Sequence, residues 1–142
     1  MNLRTIKEIK RRALIPTHRL KMLVLSKLSK SGIIGIVGLK NKGGIELAQS
    51  FLGWGYPVVI YEPDKSILKE ASKILNGPIE FSSSLEKCIS ETEIIVLLSP
   101  QEELKNISFN GQALTQKVLI DCCSGSKSIN DKKIFSSVII WR

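Results

Sequence analysis

The sequence predicts an α/β domain, a three-layer, doubly wound, mostly parallel sheet of five or six strands, preceded by a basic helical arm. Three observations carry that prediction. From Gly32 onward, short Val/Ile/Leu runs alternate with segments of helical apolar spacing, as in strands buried on both faces and joined by crossover helices. A glycine-rich turn follows the first of those runs. The charge is also split unevenly: residues 1–31 hold nine basic residues and one acid, whereas residues 32–142 hold twelve of each.

In the arm, Leu3, Ile6, Ile9 and Ala13 recur at helical spacing, and Leu20, Leu23, Val24 and Leu28 do so after Pro16. Two amphipathic helices meeting near Pro16 are expected, and the composition break at Ser29–Gly32 divides a 1–31 arm from a 32–142 domain. The first strand is Ile33–Val37, and Ile45–Trp54 has the apolar spacing of the helix after it. Val58–Tyr61 and Ile67–Leu75 repeat the pair, as do Ile79–Phe81 and Leu85–Ile89. Ile94–Leu98, Val118–Ile120 and Val138–Trp141 supply the remaining strands. Right-handed crossovers make the doubly wound topology the expected one, with the chain reversing between the first strand and the fourth. Ligands of such sheets bind at the carboxyl ends of the strands near that reversal, which selects the loops 38–44, 61–65, 98–103 and 121–126.

Composition narrows the function classes. The 142 residues suit one domain with a core of its own, and no apolar run approaches the ~18 residues of a membrane span. Cys88, Cys122 and Cys123 form no CxxC pair and the sole histidine is His18, so no disulfide framework or zinc site is expected. The amino terminus has no signal-peptide pattern, and free thiols fit a cytoplasmic location. The arm's basic residues suit phosphate or an anionic surface. Its apolar stripes call for burial, on the domain or against a second copy, and it has no aromatic side chain for stacking on bases. A homodimer through the arm is therefore expected, with nucleic acid as the weaker alternative and no membrane role.

The first loop reads Gly35-Ile-Val-Gly38-Leu-Lys40-Asn-Lys42-Gly43-Gly44. Taken as G-x-G-x-x-G from Gly38, the third glycine is Gly43, and the middle one is replaced by Lys40, whose Cβ obstructs close backbone approach to a pyrophosphate. The start of the following helix still favours an anion, and Lys40 and Lys42 add charge to it. Alternatively, Gly38, Gly43 and Gly44 only permit a tight turn and close packing. Glu62, about 20 residues past the glycines, stands where an acid holds a ribose 2′-OH; the other reading is an ordinary strand-end acid, with Asp64 capping the next helix. In the later loops Ser99, Asp121 and Ser124 are candidate nucleotide contacts. Cys122 and Cys123 read as structural, because no base stands near them in the sequence, and no catalytic residue is assigned.

Residues 17–142 resemble the carboxyl-terminal, UDP-binding domain of the UDP-glucose/GDP-mannose dehydrogenases. The resemblance is carried by Gly38-Leu39-x-x-Lys42, Val58-Val-Ile-Tyr-Glu-Pro63, Ser84-Leu-Glu-Lys87, Ser99-Pro-Gln-Glu-Glu-Leu-Lys105, Val118-Leu-Ile-Asp121 and the terminal Trp141-Arg142. It implies a domain that closes over the nucleotide of a UDP-sugar, with Lys42 facing the ligand and the arm matching the end of a dimer-forming helix. The NAD domain and catalytic cysteine of that family have no counterpart in 142 residues. The family's Thr-x-Asp-x-Arg-x-Ser stretch is replaced by the Gly43-Gly44 turn and its Gly-Arg-Asn by Cys122-Cys123-Ser124, which removes two arginines that lysine does not replace. Residues 33–64 are also similar to the NAD-binding start of the 3-hydroxyisobutyrate dehydrogenases. The expectation is a domain that binds a small-molecule nucleotide through Gly38, Lys40, Lys42, Gly43, Gly44, Glu62, Ser99 and Asp121 and does not catalyse alone. Its ligand would be a UDP-sugar, with NAD as the alternative.

Overall fold

The computed structural model describes residues 17–29, 32–40, 42–105, 117–124 and 135–141. Helix α1 (Thr17–Lys27) precedes strand β1 (Ile34–Val37), and α2 (Lys42–Gly53), β2 (Val58–Tyr61), α3 (Lys65–Ile74), β3 (Ile79–Phe81), α4 (Leu85–Glu91) and β4 (Ile94–Leu97) follow in alternation. A 3-10 turn (Glu102–Lys105), β5 (Val118–Asp121) and β6 (Ser137–Ile140) come next. The first expected helix of the arm, around Leu3 to Ala13, lies outside the described residues.

All six strands join one sheet in the order β3-β2-β1-β4-β5-β6, and each neighbouring pair is parallel. The expected doubly wound, Rossmann-like topology is therefore present, with the reversal where it was placed: Ile34 of β1 faces Val58 of β2 on one side and Ile94 of β4 on the other. Strands β1, β2 and β4 are buried along their whole length, which is why their sequences are apolar throughout rather than alternating.

The period-2 geometry of a strand sends its side chains into two separate cores. On one face Ile34, Ile36, Val58, Ile60, Ile94, Val96 and Ile120 meet Ile45, Ala48 and Phe51 of α2, Ala71 of α3, and Leu20 and Val24 of α1. On the other, Val37, Val59, Tyr61, Ile95, Leu97 and Leu119 meet Leu85, Cys88 and Ile89 of α4, with Leu104 and Phe135. Each fully buried Leu, Ile or Phe contributes about 1.5–3 kcal/mol.

The described half of the arm is thus part of the first core. Besides Leu20 and Val24, Lys21 Nζ donates to Ser50 Oγ at 3.2 Å and stands 5.2 Å from the centre of the Trp54 ring. The connection to β1 is held at the amino end of the sheet, where the Glu93 carboxylate accepts from the Ser29 hydroxyl (3.0 Å), the Ser29 N–H and the Gly32 N–H (2.9 Å). Among the described residues no helix is long and apolar enough to cross a membrane.

One boundary differs informatively from the sequence reading. The helix expected from Ile45 begins at Lys42, so Gly43 and Gly44 lie in its first turn rather than in a turn before it. The reason is steric. A Cβ on Gly44 would fall 1.9 Å from the Leu39 carbonyl oxygen, so α2 presses against the loop that precedes it as only a glycine allows.

Candidate functional site

The site is built where β1 ends and the strand order reverses. Gly38 N–H donates to the Tyr61 carbonyl at 2.8 Å, carrying the β1–β2 ladder one residue past the strand. Gly38 has φ +76°, and a Cβ there would lie 1.8 Å from Ser99 Oγ and 3.0 Å from Gln101 Nε2. The loops leaving β1 and β4 therefore touch at this point because a side chain is missing. Lys40 adopts φ 65°, a left-handed conformation that an L side chain rarely takes, and it is exposed. The loop thus keeps a backbone suited to the second fingerprint glycine while carrying a lysine. From the exposed Lys42 the first turn of α2 follows, and a helix start is electropositive because its leading N–H groups have no acceptors within the helix.

Glu62, one residue past β2, joins two loops. Its Oε1 accepts from Leu39 N–H at 2.8 Å and its Oε2 from Asp64 N–H at 2.9 Å. Each oxygen retains a second lone pair, so the half-buried carboxylate has acceptor capacity beyond these bonds. Asp64 is the cap of α3, as the sequence suggested. Its Oδ1 accepts from Ser66 Oγ (2.8 Å), Ser66 N–H (2.9 Å) and Ile67 N–H (3.4 Å). Those bonds, the Ser66 hydroxyl first, hold its carboxyl below the usual carboxylate value.

Beyond β4, Gln101 is buried and its Nε2 donates to Ser99 Oγ at 3.1 Å and to the Ser99 carbonyl at 3.2 Å, fixing the segment that faces Gly38. Tyr61 donates its hydroxyl to Glu103 Oε2 at 2.7 Å. Burial first, and then that bond and the charges of Glu103 and Glu62, push the phenol up to about 12. At the end of β5, Asp121 is fully buried and its Oδ1 accepts from Cys123 N–H at 3.0 Å, while Ser124 adopts φ 64°. Burial first, and then the neighbouring Cys123 and Asp121, push the Cys122 thiol up to about 12, with the Lys40 charge opposing. Cys88 is likewise pushed up to about 12 by burial. Neither of these thiols is poised as a nucleophile.

The eight residues singled out from sequence thus stand at the carboxyl ends of β1, β2, β4 and β5. Gly38 lies against Ser99, and Glu62 bonds Leu39, the residue between Gly38 and Lys40. Gly44, one residue beyond the third fingerprint glycine assigned in the sequence, makes the close helix approach. Asp121 is turned inward. Sequence reasoning passed over Gln101 and the Tyr61–Glu103 pair as site members. Their spacing of 42 residues between tyrosine and glutamate carries no local pattern, and only the pairing of both β2 and β4 with β1 brings them together.

No protein-family model matches the chain, and no curated sequence matches it. Solved structures do. The UDP-glucose dehydrogenase from the hyperthermophilic archaeon Pyrobaculum islandicum aligns with 96% of this chain and 30% of its own at 17% identity, with a TM-score of 0.56. The D-lactate dehydrogenase of Escherichia coli in its apo form aligns with 76% of this chain and 36% of its own at 17% identity, with a TM-score of 0.50. The chain spans about a third of the length of these two proteins. At that identity the likeness concerns the fold: this chain has the Rossmann-like α/β fold found in both dehydrogenases.

Proposed function

We propose that the chain is a nucleotide-binding module that takes a nucleotide or nucleotide-sugar at the start of α2 and performs no chemistry alone. The observation that supports this reading most is the 2.8 Å bond from Leu39 N–H to Glu62, which sets the acid ending β2 against the glycine loop at the reversal point. In this reading the first turn of α2 receives the phosphates, with Gly38, Gly43 and Gly44 shaping the loop. Lys40 and Lys42 add charge-assisted contacts. Glu62 takes a ribose hydroxyl with its remaining lone pairs, and Ser99 borders the ligand. Asp121 supports the β5 loop from inside. UDP-sugars are the favoured class, in keeping with the motif resemblance and with the alignment of a UDP-glucose dehydrogenase over nearly the whole chain. Catalysis would then come from a partner or from further chain.

A second reading, an NAD-binding module, is favoured by the position of Glu62 and opposed by Lys40, which occupies the place of the second glycine of the dinucleotide fingerprint. For NAD the acid expected at the ribose is present and the second fingerprint glycine is not. When bound, NAD would supply hydride transfer; this chain's residues would hold its ribose and phosphates.

The homodimer also belongs to the proposal. With Leu20 and Val24 committed to the chain's own core, a contact through α1 would use its outer side, where Met22 is 52% exposed.

A thermal-shift panel of UDP, UDP-glucose, GDP-mannose, ATP, NAD and NADP tests the assignment, since a ligand at 100 times its Kd stabilises the native state by about 2.7 kcal/mol. Shifts confined to UDP compounds support the favoured reading and shifts confined to NAD the second. A flat panel refutes both.

A further inference from the structure

The charged side chains are sorted by face of the sheet. Helices α1, α2 and α3, which pack in the first core, hold seven lysines and arginines against two acids. The other face carries α4 and the 3-10 turn, where Glu86, Glu91, Glu102 and Glu103 stand with two lysines. On α3 the cations form a row. Lys65, Lys69 and Lys73 repeat every four residues, so they stand about 6 Å apart along one side of the helix. That side is turned away from the buried Ala71, and all three lysines are exposed. Lys87 of α4 lies 3.7 Å from Glu80 and 3.9 Å from Glu91, whereas the α3 lysines have no carboxylate partner among the described residues. Helix α2 lies between α1 and α3: Lys21 of α1 donates to Ser50, and Gln49 accepts from the Asn76 N–H just past α3 at 3.3 Å. Trp54, the residue after α2, is 48% exposed and has Lys21 Nζ 5.2 Å from its ring centre. The arm has no aromatic side chain of its own, and the fold sets one beside it.

We propose that this three-helix layer is a docking surface for single-stranded nucleic acid, with phosphates on the lysine row of α3 and on Lys21 and a base on the Trp54 ring. The inference is independent of the nucleotide site at the start of α2. Lysines without a carboxylate partner give up no ion pair when a polyanion arrives, and each phosphate they neutralise releases a counterion. Cations that track a backbone beside an aromatic ring that stacks on a base are the combination that holds single strands without sequence preference. The acids of the opposite face repel the same polyanion, which leaves it one side on which to bind. An anionic lipid surface is a poorer match: the exposed positions of α3 before Ile74 are lysine, serine and glutamate, with no apolar row to enter the headgroup region. The surface uses the side of α1 that faces α2 and leaves Met22 to the dimer contact.

Fluorescence anisotropy of a labelled oligo(dT) of about 20 nucleotides, titrated with the full chain from about 50 mM to about 200 mM salt, tests the surface. The variants are Lys65→Gln/Lys69→Gln/Lys73→Gln, Trp54→Ala, Trp54→Phe and, on the other face, the control Glu86→Gln/Glu102→Gln. The native chain should lose affinity steeply as salt rises. The triple lysine variant should bind at least tenfold more weakly at the lowest salt, and its slope of log affinity against log salt should be shallower by about 2, since each phosphate contact to a single strand contributes about 0.7. Trp54→Ala should bind at least fivefold more weakly with its salt slope unchanged, and Trp54→Phe should recover most of that loss because it keeps an aromatic face. The control should stay within threefold of the native chain although its net charge is higher. An oligonucleotide that does not bind, or that binds without salt dependence, overturns the proposal, and so does unchanged affinity in the triple lysine variant. A control that gains as much affinity as the lysine variant loses is the signature of net charge alone and overturns the assignment to this face. No loss in Trp54→Ala overturns the single-strand assignment. Binding to vesicles of phosphatidylglycerol and phosphatidylcholine in place of the oligonucleotide overturns the proposal in favour of lipid.

Discussion

Replacing Gly44 by alanine sets two effects of opposite sign against each other. Alanine is favoured over glycine within a helix by about 1 kcal/mol. Against this, the new Cβ would lie 1.9 Å from the Leu39 carbonyl oxygen, 2.6 Å from its carbonyl carbon and 2.8 Å from its Cα. All three are main-chain atoms, so no side chain can rotate away, and either the loop or the start of α2 must move by more than an ångström. Overpacking of this kind costs typically about 1–3 kcal/mol and occasionally more, and a main-chain obstruction belongs at the upper end. The steric term wins, leaving a net destabilisation of about 2 kcal/mol. At about 3 °C per kcal/mol for a chain of this size, Tm falls by about 6 °C. Urea unfolding followed by the fluorescence of Trp54 and Trp141 measures the change. Gly53→Ala is the control: it lies in the same helix and its Cβ meets nothing within 4 Å, so it should be neutral or stabilising by up to about 1 kcal/mol. If Gly44→Ala unfolds within about 0.5 kcal/mol of the native chain, α2 does not press on the loop as described and the geometry of the phosphate end is wrong.

Other expectations follow from the same contacts. Lys40→Gly relieves a left-handed residue, worth about 1–2 kcal/mol, at an entropic cost of about 0.5–1 kcal/mol; a net effect between zero and about 1.5 kcal/mol of stabilisation is expected, and a clear loss in urea would contradict it. Lys42→Ala should weaken a phosphate ligand by roughly 1–3 kcal/mol, and unchanged calorimetric affinity would place the anion elsewhere. The folded-state carboxyl of Asp64 is lowered, so its contribution to stability is present above the ordinary carboxylate value and is lost as pH falls through the lowered one. The urea midpoints of the native chain and Asp64→Ala should therefore differ at neutral pH and converge below about pH 4; a gap that persists at lower pH refutes the charged cap. With the Cys88 thiol pushed up to about 12, iodoacetamide at pH 8 should leave that residue unmodified until urea unfolds the chain, and mass spectrometry of the native protein showing it alkylated would count against its burial. Met22→Lys should shift the mass measured by light scattering toward the monomer if α1 carries the dimer, and no shift removes α1 from the interface.

The sheet was legible because burial on both faces leaves a direct trace in composition. Val58–Tyr61 and Ile79–Phe81 end in the structure where their apolar runs end in the sequence. The reversal between the first and fourth strands was expected from the doubly wound topology that right-handed crossovers favour, and the sheet has it. What stayed hidden depends on distance along the chain. That Glu62 bonds Leu39, and that Tyr61 reaches Glu103, are consequences of register between strands tens of residues apart, and neither residue type signals its partner. The helix start was expected three residues late, at Ile45 instead of Lys42, for a local reason: Gly-Gly ordinarily marks a turn, and only the crowding against Leu39 shows why glycine stands in the first turn of this helix. The left-handed backbone of Lys40 was not foreseen, because lysine rarely adopts it.

The reversal of strand order at β1 also shapes how the chain acquires its structure. Residues 34–81 make a self-sufficient run of neighbours, β1 to β2 to β3, each pairing closing over a single helix. The pairing of Ile34 with Ile94 comes from the far side of that unit, and it cannot form until the whole of it has been made and the chain has doubled back. Non-local parallel pairings of this kind are slow to form, because loop-closure entropy is lost before contacts repay it. During synthesis from the amino terminus, one edge of β1 is therefore an unpaired, fully apolar strand until β4 arrives. The α1 helix, already made and joined to β1 by a short connection, is available to cover one face of that strand during the interval, while its edge waits for the rest of the chain.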